Sequence, residues 1–77
     1  MMEVTFPELS RENPDTEGVL ATWYVGDGEQ VAAGQLLADA QVDKVDAEVT
    51  APSAGTVHLL VAEGEAVVQG RPIARID

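Results

Sequence analysis

The chain has no cysteine, one histidine, one lysine and a single copy each of Trp, Tyr and Phe. Without cysteine, neither a disulfide framework nor a thiolate metal site is available, which suits a reducing compartment. With one His and no Cys, no pairing of nucleophile and base suggests itself, and no catalytic residue is assigned. No apolar run is long enough to span a bilayer, and Met1-Met2-Glu3 does not open a signal peptide; the expectation is a cytoplasmic or matrix-type location. Positive charge is scarce: four Lys and Arg stand against fourteen Asp and Glu, a net charge of −10. Such a chain repels nucleic acid and anionic membranes, and neither is expected as a partner. Asp43, Asp46 and Glu48 lack the spacing and the glycine of a calcium loop, and no metal is expected.

What the chain does have is apolar content, 45% of 77 residues, far above the range of disordered segments. The length makes one domain, residues 1–77. Valine is abundant and helical periodicity is absent, while alternation with period two recurs. Val45, Ala47, Val49 and Ala51 alternate with Asp46, Glu48 and Thr50. Leu36, Ala38, Ala40 and Val42 alternate with Leu37, Asp39 and Gln41, and Val57, Leu59 and Val61 with Thr56, His58 and Leu60. The stretch 19–25 places Val19, Ala21, Trp23 and Val25 on one face, with Trp23 expected to pack under the sheet and His58 to be solvated. Short segments at 3–6, 30–32, 66–68 and 72–76 bring the total to about eight strands. The turn-rich segment 7–17 reads as a surface loop.

The chain also repeats itself at a spacing of thirty-six. Residues 23–41 lie on 59–77, matching Gly28-Glu29 to Gly64-Glu65, Val31 to Val67, Gly34 to Gly70 and Ala38 to Ala74. Gly28, Gly34, Gly55, Gly64 and Gly70 read as turn residues rather than as a phosphate loop, since no strand–glycine–helix context surrounds them. Two similar halves predict an all-β fold: a flattened β-barrel or sandwich of two four-stranded antiparallel sheets with quasi-twofold symmetry.

Between the halves, the strand ending at Val42 and the strand starting at Val45 leave two residues, Asp43 and Lys44. That spacing predicts a tight hairpin with Lys44 at its apex. Asp is at home in such a turn; a lysine is not required there, and any solvated residue would serve the turn itself. A lysine so placed holds its amine clear of the sheet, where a modifying enzyme can reach it, and acylation would remove its charge and add a long tether.

Here the chain resembles the lipoyl domains of dihydrolipoamide acyltransferases in 2-oxo acid dehydrogenase complexes, within the wider biotinyl/lipoyl attachment family. Phe6-Pro7-Glu8-Leu9 resembles the family's opening hydrophobic-Pro-x-Leu, and Glu17-Gly18 followed by Trp23, Val25, Gly28 and Val31 resembles its next pattern. Gly34 precedes Lys44, Asp43-Lys44-Val45 resembles the attachment triplet, and Ala51-Pro52 with Gly55 closes the motif. Biotin-accepting members carry Met on both sides of the lysine; here the flanks are Asp43 and Val45, which points to lipoic acid over biotin.

The resemblance implies a non-catalytic carrier: lipoate amide-linked to Lys44 acts as a swinging arm for acyl groups and reducing equivalents. Implied partners are a lipoate ligase or lipoyl transferase, a thiamine-dependent 2-oxo acid dehydrogenase, an acyltransferase domain and dihydrolipoamide dehydrogenase. The domain itself is expected to be monomeric. Gln41, Asp43 and Val45 are implied in ligase recognition, with Gln41 standing where many lipoyl domains have Glu. The loop 10–15 departs from the common family sequence, and in the family this loop helps choose the dehydrogenase. The alternatives are a biotinyl carrier of a carboxylase, or an unmodified interaction module of the same fold.

Overall fold

The computed structural model describes residues 2–9, 16–43 and 45–77. The expectations placed on Lys44 itself and on loop 10–15 lie outside the described residues. Eight strands follow in order: β1 (Met2–Thr5), β2 (Glu17–Trp23), β3 (Gln30–Val31), β4 (Leu36–Val42), β5 (Val45–Thr50), β6 (Gly55–Leu59), β7 (Ala66–Val68) and β8 (Pro72–Ile76). They form two four-stranded antiparallel sheets, β1-β8-β6-β3 and β5-β4-β2-β7. The expected architecture is the one found.

The quasi-twofold relation extends to individual hydrogen bonds. It exchanges β1 with β5, β8 with β4, β6 with β2 and β3 with β7, so one sheet order becomes the other. Gly28 donates to Val57 O at 2.7 Å and Gly64 to Leu20 O at 2.7 Å; Gly34 donates to Ala51 O at 2.8 Å and Gly70 to Phe6 O at 2.9 Å. Tyr24 N to Leu37 O and Leu60 N to Ile73 O are a further pair. Gly28 and Gly64 have φ of 86° and 83°, and Gly34 and Gly70 of 82° and 85°. These left-handed torsions suit glycine and explain why the repeat shows most clearly there.

The core between the sheets holds Phe6, Leu20, Leu37, Val57, Ile73 and Ile76, all but sealed from solvent. Two details of facing differ from simple alternation. In β2, Leu20 is fully buried while Val19 and Ala21 face outward, because the register with β4 slips between Leu20 and Thr22. The slip changes the phase, so Trp23 and Val25 turn inward as expected although Val19 and Ala21 do not. In β4, a second irregularity between Leu36 and Ala38 sends both Leu37 and Ala38 into the core. Such bulges insert one residue and break the two-residue period. Its mate in β8 buries Ile73 and Ala74 consecutively.

Trp23 packs against the core half-buried, its indole N–H donating to Val61 O at 3.1 Å. His58 has a partner that alternation could not show: its Nε2 lies 2.8 Å from Asp77 Oδ2.

Candidate functional site

β4 and β5 stay paired to their last residues, Val42 opposite Val45. Two residues therefore reverse the chain, and loops of that length take turns with positive φ at the first central position. Asp43 occupies it at φ 54°, the one non-glycine with positive φ among the described residues. Asp tolerates this conformation better than most side chains because its short polar group bonds locally. Around the reversal Gln41, Asp43 and Val45 are all exposed, Val45 by 51%. The residues the sequence grouped as flanks of Lys44 thus share one open end of the molecule.

That end is held from below by a contact sequence reasoning did not single out. A Cβ on Gly18 would lie 2.5 Å from Phe6 Cζ, 2.6 Å from Gln41 O and 2.7 Å from Val42 Cγ2. Glycine lets β2 lie flush against the last turn of β4, with the Phe6 ring closing the end of the core. Phe6 is fixed in turn by its N–H to Arg71 O at 2.8 Å and by Gly70 N–H to its own carbonyl. Glu8 comes close to Gly70, and Gln69 N–H reaches Thr16 O at 3.5 Å. Both flanks of loop 10–15 are therefore at the hairpin end. The paired strand ends Met2 and Ile76 lie at the other end of β1 and β8, away from Phe6.

On the outer face of the same sheet, Asp39 lies directly opposite Glu48, and Gln41 opposite Asp46. The Tyr24 hydroxyl donates to Asp39 Oδ2 at 2.5 Å. This bond, with smaller effects of burial and of the nearby Asp39 and Glu48 charges, raises the phenol above its ordinary range. Among the described residues, no three His, Cys, Asp or Glu side chains gather to hold a metal ion. Among those residues, no helix is long and apolar enough to cross a membrane.

A pseudosymmetric antiparallel sandwich with an open two-residue hairpin at one end is the scaffold expected of a carrier module. Comparison with known proteins agrees. The family model described as "Biotin-requiring enzyme", covering biotin and lipoyl attachment, matches residues 2–76, and the chain belongs to that family. The dihydrolipoyllysine-residue succinyltransferase of the 2-oxoglutarate dehydrogenase complex of Cupriavidus necator is 37% identical over 78 residues, covering 100% of this chain and 18% of the relative. A probable mitochondrial counterpart from Schizosaccharomyces pombe is 44% identical over 63 residues, 80% of this chain and 14% of the relative. The solution structure of the lipoyl domain of the 2-oxoglutarate dehydrogenase complex of Azotobacter vinelandii superposes with a TM-score of 0.80 at 27% identity, covering 100% of this chain and 96% of that one. Within its family, then, this chain is a lipoyl carrier domain. It spans less than a fifth of the length of these two curated relatives.

Proposed function

We propose that residues 1–77 work as one carrier domain in which Lys44 is the attachment point, acylated on its amine by lipoate, and that the loaded arm serves a 2-oxo acid dehydrogenase-type complex. The observation that supports this reading is the two-residue reversal between Val42 and Val45, with Asp43 at φ 54° and exposed neighbours on both sides. A hairpin whose strands stay paired to the last residue gives its apex little freedom to fold back. Gln41, Asp43 and Val45 are open to a ligase approaching along the strand axis. When bound, the lipoyl group supplies a disulfide that accepts an acyl group and electrons.

The protein's own residues hold and display. Phe6 and Gly18 stiffen the base of the hairpin, and tethering raises the local concentration of the carried group at each site it visits. The domain does no chemistry of its own in this scheme. Partners are a lipoate ligase or lipoyl transferase, a thiamine-dependent decarboxylase, an acyltransferase and dihydrolipoamide dehydrogenase, in bacterial cytoplasm or the mitochondrial matrix. Lipoate is favoured over biotin because Asp43 and Val45, rather than two methionines, flank Lys44.

Intact mass after co-expression with lipoate and biotin ligases tests the assignment. The expected result is one lipoyl adduct, lost in Lys44→Arg. An unmodified mass, while a known acceptor in the same cells is lipoylated, refutes it, and so does a biotinyl adduct. Loaded domain should then be acylated by the thiamine-dependent component of the Cupriavidus necator 2-oxoglutarate dehydrogenase complex.

A further inference from the structure

The two halves of this chain are interlocked. Strands β1 to β4 make one half and β5 to β8 the other, yet β1 pairs with β8, β2 with β7, β3 with β6 and β4 with β5. Among the described residues, the first half taken alone keeps only the pairing of β2 with β4, and the second only that of β6 with β8. The strands β1, β3, β5 and β7 would then have no neighbour. Each half needs the other kind of half to complete both sheets, and residues 43 and 44 alone join them. Nothing in these pairings requires the complement to come from the same chain.

A second copy supplies the same complement once the reversal opens. Each β4 then runs straight on into its own β5, and the two opened segments lie side by side. The register sets Val42 opposite Val45. Carried one step further between two copies, it sets residue 43 of each opposite residue 44 of the other. Those residues are Asp43 and Lys44, so acid meets cation twice. Opposite charges directly across an antiparallel pair are favourable. Opening also releases Asp43 from φ 54°, a torsion that an L-residue adopts at a cost. All six strand pairings of the closed domain are kept. Exchange of identical elements through a short, strained connection is a low-cost route to a dimer.

We infer that a second copy of this chain is a partner of the unmodified domain: the two exchange halves, with residues 43 and 44 extended and Asp43 of each copy paired with Lys44 of the other. Acylating the lysine removes its charge and with it both ion pairs, so the loaded chain keeps the closed form. The exchanged form lacks the tight reversal and engages the lysine amine, which withholds it from a ligase; this last step rests on the carrier reading above. Closing on itself through a short linker gives each half a local concentration of millimolar order, so exchange competes when chains fold at about that concentration. Each copy carries a charge of −10, and at about 0.15 M salt repulsion between the two lobes is screened beyond about 8 Å.

The test refolds the unmodified domain from urea at about 1 mM protein and about 0.15 M salt, and separates monomer from dimer by size-exclusion chromatography with light scattering. A dimer is expected there and should be absent after refolding at about 1 µM. In a dimer made from equal parts of nitrogen-labelled and carbon-labelled chains, magnetic-resonance contacts between Val4 and Ala74 should link the two labels. Contacts within one label only would mean that copies adhere without exchanging, and overturn the inference. Lys44→Gln, which removes both ion pairs, should lower the ratio of dimer to monomer by about 2–30-fold, whereas Lys44→Arg should stay within about twofold of wild type. Arg75→Gln changes net charge as much as Lys44→Gln, at a pairing kept in both forms, and should also stay within about twofold. Equal losses from Lys44→Gln and Arg75→Gln, or monomer alone at every concentration, overturn the exchange. Separated dimer should be lipoylated about fivefold more slowly than monomer or slower still, and equal rates refute the withholding. Intact mass of the monomer reports lipoylation by itself, so failure of the exchange and failure of the carrier assignment are told apart.

Discussion

Replacing Gly18 by alanine asks whether the hairpin rests on a steric fit. The new methyl would sit 2.5–2.7 Å from Phe6 Cζ, Gln41 O and Val42 Cγ2, roughly 1 Å inside the usual 3.5 Å or more between non-bonded atoms. None of the three yields easily. Gln41 O belongs to the central strand β4, paired on both sides, and Phe6 is fully enclosed by the core. Overpacking of this kind costs about 1–3 kcal/mol, offset by roughly 0.5–1 kcal/mol because alanine restricts the unfolded chain. With rigid neighbours the net loss should be about 2 kcal/mol. For a domain of this size that lowers Tm by roughly 8–16 °C. Urea unfolding should show a lower midpoint at unchanged slope. Gly28→Ala is the companion: it has open space around it but φ of 86°, so its loss of about 1–2 kcal/mol would come from backbone strain alone. A Gly18→Ala protein within about 0.5 kcal/mol of wild type would show that β2 and β4 slide apart freely. The account of a stiffened hairpin would then fail.

Other perturbations follow from the same contacts. Asp43→Val puts a β-branched residue at φ 54° and should cost about 1–2 kcal/mol in urea unfolding, while Asp43→Gly should hold stability; equal losses would mean the torsion is not what matters. Glu48→Gln removes one member of the Asp39–Glu48 pair and should raise stability by about 0.2–1 kcal/mol at low salt, the gain shrinking as salt is added. Tyr24, the chain's single tyrosine, should ionise above the ordinary value of 10.0, and Asp39→Ala should bring its ultraviolet titration back down. Because the folded phenol holds its proton more tightly than the unfolded one, its contribution is complete below the unfolded value and is lost as pH rises through the folded one. Stability that increased across that alkaline range would contradict the hydrogen bond.

Much of this architecture is written in local chemistry. Alternation located the strands, and glycines at matched spacing announced the two halves because a left-handed torsion cannot be delegated to another residue without strain. Counting two residues between Val42 and Val45 identified the reversal. Bulges were hidden, since nothing in Leu20-Ala21-Thr22 or Leu36-Leu37-Ala38 signals a skipped partner; the slip arises from how the strands twist around a shared core. That is why simple alternation puts Val19 and Ala21 on the face of Trp23, whereas the folded chain turns them outward. Gly18 was visible as part of a motif, but its necessity depends on Phe6 and Gln41, which only the folded chain brings together. The contrast between the two outer faces was equally invisible. It emerges once register sets Asp39 against Glu48 on one sheet and Arg75 against Glu3 on the other.

The symmetry also explains why the tight hairpin occurs at one end of the fold. Gly18 presses on the carbonyl of Gln41, and its mate Gly55 presses on the carbonyl of Asp77, thirty-six residues further along. At the first position the chain continues from Val42 through the reversal into β5; at the second, β8 comes to its end beside the start of β1. The quasi-twofold thus carries the hairpin onto the pair of strand ends. The strand ends Met2 and Ile76 therefore lie away from the reversal between Val42 and Val45, at the other end of the paired strands.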